Sequence, residues 1–203
     1  TTLKACMGII TITEGDILLD GISVVKEPIV CKRKMAYVPD TPRLEEYMTG
    51  MQYLNFVCDI YQISAKERKQ NIERLIHAFQ MEPHISGLIS SYSHGMKQKV
   101  ALIAAFSHNP KLLVLDEPFV GLDPEAFIAL KEQMKMLCRK GSSVLFSSHI
   151  LDVVEKLCNK ISIIKDGRLL YSGTTEELIG VEGLQEAFME LNSNESCDPS
   201  IEK

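Results

Sequence analysis

Leu112-Leu113-Val114-Leu115 is an unbroken apolar run, followed at once by Asp116-Glu117-Pro118. Such a run reads as a strand buried on both faces, and Pro118 stops it. Burying either carboxylate without a partner is expensive, so both belong at the strand's C-terminal edge, facing polar groups or a cation. A plainer role for Asp116, capping the next turn, stays open. Downstream, Asp123-Pro124 sets an N-cap acceptor before a first-turn proline and starts a helix that runs to Arg139 and stops near Gly141. Ser143 to Ser147 follows as a strand, His149 to Leu157 as a helix and Ile161 to Ile164 as a strand. That alternation predicts right-handed crossovers and a parallel sheet. Asp166-Gly167 then turns the chain back through Arg168 to Tyr171.

Upstream, Thr1 to Gly8 reads as the tail of a helix stopped by glycine. Asp16 to Leu19 and Ile22 to Val25 flank Asp20-Gly21, a short hairpin signal. Met35 to Val38 is a further strand, ended by Pro39. From Glu45 to about Met81 the period turns helical. Ser64 and Glu67 have capping-box spacing, and Ile72, Leu75, Ile76 and Phe79 fall on one buried face. Pro83 breaks this region. Gly95 to Ser107 is another helix, ended by Asn109-Pro110. Beyond Gly180 the pattern predicts one weak helix and then a polar tail from Asn192 to Lys203.

Composition narrows the class. Of 203 residues, 45% are hydrophobic and 24% charged, the balance of an ordinary soluble protein with room for one substantial core. Lysine and arginine number 22 against 27 acidic residues, a net charge of -5, so no nucleic acid is expected as a partner. Lys66, Arg68, Lys69 and Arg74 cluster locally and read as a solvated helix face. The cysteines at 6, 31, 58, 138, 158 and 197 form no close pair, which suggests neither a zinc site nor a disulfide framework and fits a reducing compartment. Neither a membrane-spanning run nor a signal peptide is evident.

Two strand ends are unusually polar, and ligands of parallel sheets bind beyond such ends. One carries Asp116 and Glu117; the other carries Ser147, Ser148 and His149. Asp116 suits magnesium, directly or through water. Glu117 points elsewhere, towards orienting or deprotonating a water. His149 is placed to offer a proton to a phosphoryl oxygen, with helix capping as the alternative. Ser93-His94-Gly95 opens a helix whose free N–H groups suit an anion, although an ordinary capped helix has the same pattern.

The order of these pieces is more specific than any one of them. Ser93-His94-Gly95-Met96-Lys97-Gln98, then Leu112 to Pro118, Gly121-Leu122-Asp123-Pro124 and His149 resembles the ATP-binding-cassette (ABC) transporter ATPases. They fill the places of that family's signature motif, Walker B strand with catalytic glutamate, D-loop and switch histidine. Tyr92 to Gln98 is most similar to bacterial exporter-type subunits that work with separate membrane subunits. The resemblance implies an α/β fold: the P-loop NTPase-like parallel sheet core of an ABC ATPase with a helical subdomain, truncated at the N-terminus. It implies ATP and magnesium as cofactors, a second nucleotide-binding domain in a head-to-tail dimer, and a separate transmembrane permease. It also implies a cytoplasmic protein, peripheral on the inner face of the cell membrane. Ser93, His94 and Gly95 would contact the opposite subunit's nucleotide, Asp116 would support magnesium, Glu117 would be the general base and His149 would hold the γ-phosphate. Asp123 would communicate across the dimer.

The departures from the family pattern are specific. The family's Leu-Ser-Gly-Gly-Gln is here Tyr92-Ser93-His94-Gly95-Met96. Asp40 stands where glutamine is common; an ionised carboxylate can meet a metal but cannot donate a hydrogen bond. No Gly-x-x-x-x-Gly-Lys-Ser/Thr loop occurs, and Thr1-Thr2-Leu3-Lys4 resembles the residues just after that loop's lysine, with Thr1 a candidate for its hydroxyl. The expectation is therefore a preceding segment carrying the loop. The alternatives are a non-transport ABC-type ATPase in translation or DNA repair, or a non-catalytic truncated interaction subunit. The expected organisation is partial ATPase core over 1–44, helical subdomain over 45–95, the rest of the core over 96–180 and a C-terminal helix with tail over 181–203.

Overall fold

A computed structural model describes residues 1–179, 183–186 and 189. The chain divides into two compact units, residues 1–147 and 148–203. Each is treated on its own below.

The first unit is built on a parallel sheet of β3 (Met35–Val38), β4 (Leu112–Leu115) and β5 (Ser143–Phe146), in the order β3-β4-β5. Leu113, Val114 and Leu115 of the central strand are fully buried. Burial of that kind contributes about 1.5–3 kcal/mol per side chain. Ahead of the sheet come α1 (Thr2–Cys6), the hairpin β1 (Leu18–Leu19) and β2 (Ile22–Ser23), and α2 (Pro28–Lys34). Asp20 and Gly21 both take positive φ, 50° and 78°, as a two-residue hairpin turn requires. Met7, Val24, Cys31, Met35 and Val114 form one buried cluster that fastens this N-terminal part to the sheet. The sequence pattern gives no sign of α2, because Cys31 is its sole buried residue and no apolar stripe marks it.

Three longer helices pack beside the sheet: α3 (Gly50–Ile60), α4 (Ala65–Ala78) and α5 (His94–Ser107). The reciprocal capping box belongs to Thr49 and Gln52 at the start of α3. At α4, Ser64 accepts from the Glu67 N–H, but its hydroxyl donates to the Glu67 carboxylate, so the box predicted there is only half formed. Tyr61 donates to the Met35 carbonyl at 3.1 Å and stacks on His108 with ring centroids 3.6 Å apart, joining α3 to β3. Burial there holds the His108 imidazole below its usual pKa. In the basic cluster Lys66 and Lys69 are exposed, whereas Arg68 pairs with Asp59 and Arg74 donates to Gln133 at 2.5 Å. After β4 comes α6 (Pro124–Arg139), which leads into β5. The described cysteines are all free thiols.

The second unit holds α7 (Leu151–Leu157), β6 (Lys160–Lys165), β7 (Arg168–Thr174) and α8 (Thr175–Ile179). Here the sequence reading needs correction twice. β6 pairs antiparallel with β7 in a sheet of its own and does not extend the parallel sheet. Asp166 and Gly167, at φ 49° and 77°, make the tight turn that delivers β7 onto β6. Helix α7 starts at Leu151, so His149 precedes it. Most of the helix and tail expected over 181–203 lies outside the described residues.

Candidate functional site

Strand register assembles the first half of the site. Leu115 pairs with Phe146, which sets Asp116 beside Ser147 at the C-terminal end of the sheet. The Ser147 hydroxyl donates to Asp116 Oδ1 at 2.6 Å and accepts from the Glu117 N–H at 3.0 Å. One hydroxyl thus fixes both acidic residues. On the other side the Tyr37 hydroxyl reaches Asp116 Oδ2 at a long 3.4 Å. Burial first, and the Asp116 charge second, push the Tyr37 phenol up. Asp40 adds to that rise from the exposed rim next to Tyr37.

Glu117 has φ of 45°, left-handed backbone that costs a non-glycine residue on the order of 1–3 kcal/mol. Two things offset it. One is the bond from its N–H to Ser147; the other is buried Phe119, which packs on Phe127 at 4.7 Å and edge-on to Phe146 at 5.8 Å. The bend takes the Glu117 backbone off the extended line of β4. Ser147→Ala removes a donor from Asp116 and an acceptor from the Glu117 N–H. We expect a loss of about 2 kcal/mol in denaturant unfolding. A loss under roughly 0.5 kcal/mol would contradict the clamp, being within the range of an ordinary surface substitution.

The second half is the start of α5. Ser93 is its N-cap and accepts from the Met96 N–H at 3.2 Å. His94 and Gly95 occupy the first two helical positions, where N–H groups have no carbonyl within the helix, and no acidic side chain lies in the first turn. Free N–H groups of that kind suit an anion. Gly95 is also required by its own chain, because a β-carbon there would stand 2.9 Å from the Gly121 carbonyl oxygen. Asp123 caps α6 through Oδ1, from the Ala126 N–H at 2.8 Å, and Lys99 Nζ lies 2.6 Å from its Oδ2. The Lys99 bond and then the Ala126 N–H hold its carboxyl below the usual range. Tyr92 is buried and donates to the His84 and Gly87 carbonyls at 2.7 and 3.1 Å, so this departure from the family pattern has a structural task.

Thr1 is exposed and precedes α1 without a side-chain capping bond. His149 is exposed and lies in the second unit, between Ser148 and Ile150, whose hydroxyl and N–H are joined by a 3.1 Å hydrogen bond. The first unit therefore brings together Asp116 with Glu117, and Ser93, His94 and Gly95 with Asp123. Sequence reasoning gave no role to Tyr37 or Lys99 and named Ser147 only as polar. The parallel register, once known, points to Ser147.

No group of three or more His, Cys, Asp or Glu residues among those described can cage a metal. Magnesium takes one or two carboxylates plus waters and substrate phosphates, so it asks for no such cage. The half-buried Asp116 carboxylate, held in place at a strand end, is a suitable hard-oxygen donor.

The ABC transporter family model matches residues 1–120, more than half the chain, and the chain belongs to that family. It is the ATP-binding subunit of an ABC transporter, the part that couples ATP hydrolysis to transport through a partner membrane subunit. Among its relatives is the ABC-type transporter ATP-binding protein EcsA of Bacillus subtilis, 34% identical over 94% of this chain and 77% of the relative. The linearmycin resistance ATP-binding protein LnrL of the same organism is 30% identical over 93% of this chain and 64% of that protein. A solved ATP-binding subunit of an ABC transporter superposes with a TM-score of 0.90 at 34% identity, covering 94% of this chain and 82% of that one. No helix among the described residues is long and apolar enough to cross a membrane.

Proposed function

We propose that two copies of the nucleotide-binding domain close head to tail, so that each ATP lies between one subunit's Asp116-Glu117 edge and the other's Ser93-His94-Gly95 turn. The observation that carries this reading is the Ser147 clamp. A single hydroxyl holds the Asp116 carboxylate and the Glu117 backbone side by side at the strand end, where magnesium and an attacking water would meet. Magnesium, when bound, supplies charge neutralisation across the phosphates. Glu117 orients the attacking water and accepts its proton. As the family resemblance implies, His149 would donate to a γ-phosphoryl oxygen, and the His94 and Gly95 N–H groups meet the phosphates of the opposite subunit's nucleotide. Asp123 contacts the partner subunit through the half of its side chain that remains open to solvent. Thr1 lies at the edge of the phosphate loop, and Asp40 reaches the metal through water.

The organisation follows the same reading: partial core 1–44, helical subdomain 45–95, core 96–180 and C-terminal part 181–203. A cavity of about 850 Å³, lined by Tyr37, Asp40, Arg43, Tyr53, Tyr61 and His108, opens between the β3 end and α3. Phe56 and Ile60 are exposed on α3 as well. This aromatic groove, next to Asp40, receives a segment of the permease, on the cytoplasmic side of the membrane.

The test is phosphate release by the full-length protein carrying the preceding loop. Activity is expected only with magnesium, and Asp116→Asn is expected to lower it about a hundredfold. Equal activity after magnesium is chelated would overturn the assignment of Asp116.

A further inference from the structure

Three contacts tie the first turn of α5 to the loop between Glu117 and Asp123. The Gly121 carbonyl fills the place of a Gly95 β-carbon, at 2.9 Å. The His94 ring lies against Gly121, with Cδ2 3.0 Å from where a β-carbon would sit. Lys99 Nζ meets Asp123 Oδ2 at 2.6 Å. The pair is unequal: the Lys99 side chain is 13% exposed and that of Asp123 48%. A lysine side chain so little exposed needs a counter-ion, whereas Asp123 caps α6 through its other oxygen and keeps half of its side chain in solvent. A capping role for Asp123 does not need Lys99. The lysine is therefore committed to holding the loop against α5.

We propose that Lys99 is a positioning residue that locks the Ser93-His94-Gly95 turn and the Glu117–Asp123 loop into one block, and so couples the two ATP sites of the dimer. This rests on the head-to-tail reading above, in which Ser93 and Gly95 serve the partner's nucleotide and Glu117 serves the chain's own. Closure of the turn on one nucleotide then moves the loop that follows the base acting on the other. A rigid element shared by both sites is the physical requirement for coupling, and Lys99 is the charged pin within it.

The experiment uses the full-length protein with its membrane subunit and Mg-ATP as probe. Lys99→Met is expected to lower kcat on the order of tenfold and to bring the Hill coefficient for ATP towards one. KM should stay within about twofold, because Lys99 lies away from the anion-facing N–H groups. Lys99→Arg, which keeps the charge, is expected to restore both kcat and cooperativity. Should Lys99→Met fail to fold, Lys99→Gln keeps a hydrogen-bond donor for Asp123 and is expected to give an intermediate loss. Hydrogen exchange of the nucleotide-free protein provides a readout independent of turnover. Protection over 93–97 and 118–123 should fall together in Lys99→Met and stay in Lys99→Arg. Unchanged kcat and Hill coefficient in Lys99→Met, or equal damage in Lys99→Arg, overturns the proposal. A wild-type protein without turnover overturns the dimer reading instead, and the exchange data then show whether Lys99 joins the two segments.

Discussion

Glu117→Gln is expected to bind ATP as the wild type does and to turn it over at least a hundredfold more slowly. General-base assistance is worth about 10²–10⁴ in rate, and the amide keeps the size of the side chain while losing its basicity. The positive φ of Glu117 is held by the backbone bond to Ser147 and by the buried Phe119 beyond Pro118. The fold should therefore be unmoved, and the loss should fall on kcat rather than on KM. Equilibrium binding of ATP beside a phosphate-release assay separates the two. Wild-type turnover in this variant would remove Glu117 from the role of base.

Gly95→Ala is expected to have the second largest effect, and two opposing terms set its sign. Alanine in a helix ordinarily gains about 0.5–1 kcal/mol over glycine. Here the new methyl meets a backbone carbonyl at 2.9 Å, and that carbonyl belongs to Gly121, itself at φ 77° and backed by His94. Overpacking of this kind costs about 1–3 kcal/mol. The steric term wins, leaving a net destabilisation near 1 kcal/mol. Relief requires the loop after Glu117 to move away from α5. Turnover should then fall far more than stability, by about a hundredfold, since displacement on the order of 1 Å near a reacting centre has that effect. A variant more stable than wild type with normal turnover would contradict the close approach. Urea unfolding and steady-state ATPase measurements decide it.

These two residues illustrate what the chain discloses unaided. Leu112 to Leu115, Asp20-Gly21 and Asp123-Pro124 are local signals, each satisfied by its own neighbours, and the structure places a strand, a hairpin turn and a capped helix there. Helix α2 escaped notice because a single buried cysteine leaves no periodic stripe to read. The pattern of β6 alone could not disclose its direction of pairing. The alternation of strands and helices from Leu112 pointed to a further parallel strand, while the Asp166-Gly167 turn, itself legible in the sequence, pointed back to β7, and the turn prevails. For the site, motif order pointed to the acidic pair and the α5 turn. The contacts that fix them, Ser147 to Asp116 and Lys99 to Asp123, join residues far apart in sequence. They follow from strand register and helix packing, which no local pattern encodes. Tyr92 was legible only as a departure from a family motif, and its hydroxyl turns out to pin the loop at His84 and Gly87.

The central claim is that one subunit lends its α5 turn to the other's nucleotide while keeping its own base. Mixing two full-length variants tests it most directly: Glu117→Gln, and Ser93→Asp, which keeps the α5 N-cap, leaves Gly121 uncrowded and sets a carboxylate against the partner's phosphate. In a head-to-tail pair, one site then carries both defects and the other carries neither. Random pairing makes half the dimers hybrids with one intact site of two, so turnover well above that of either variant alone and at most roughly a quarter of wild type should return. Turnover no greater than the sum of the separate variants would place base and turn on the same nucleotide and contradict the account.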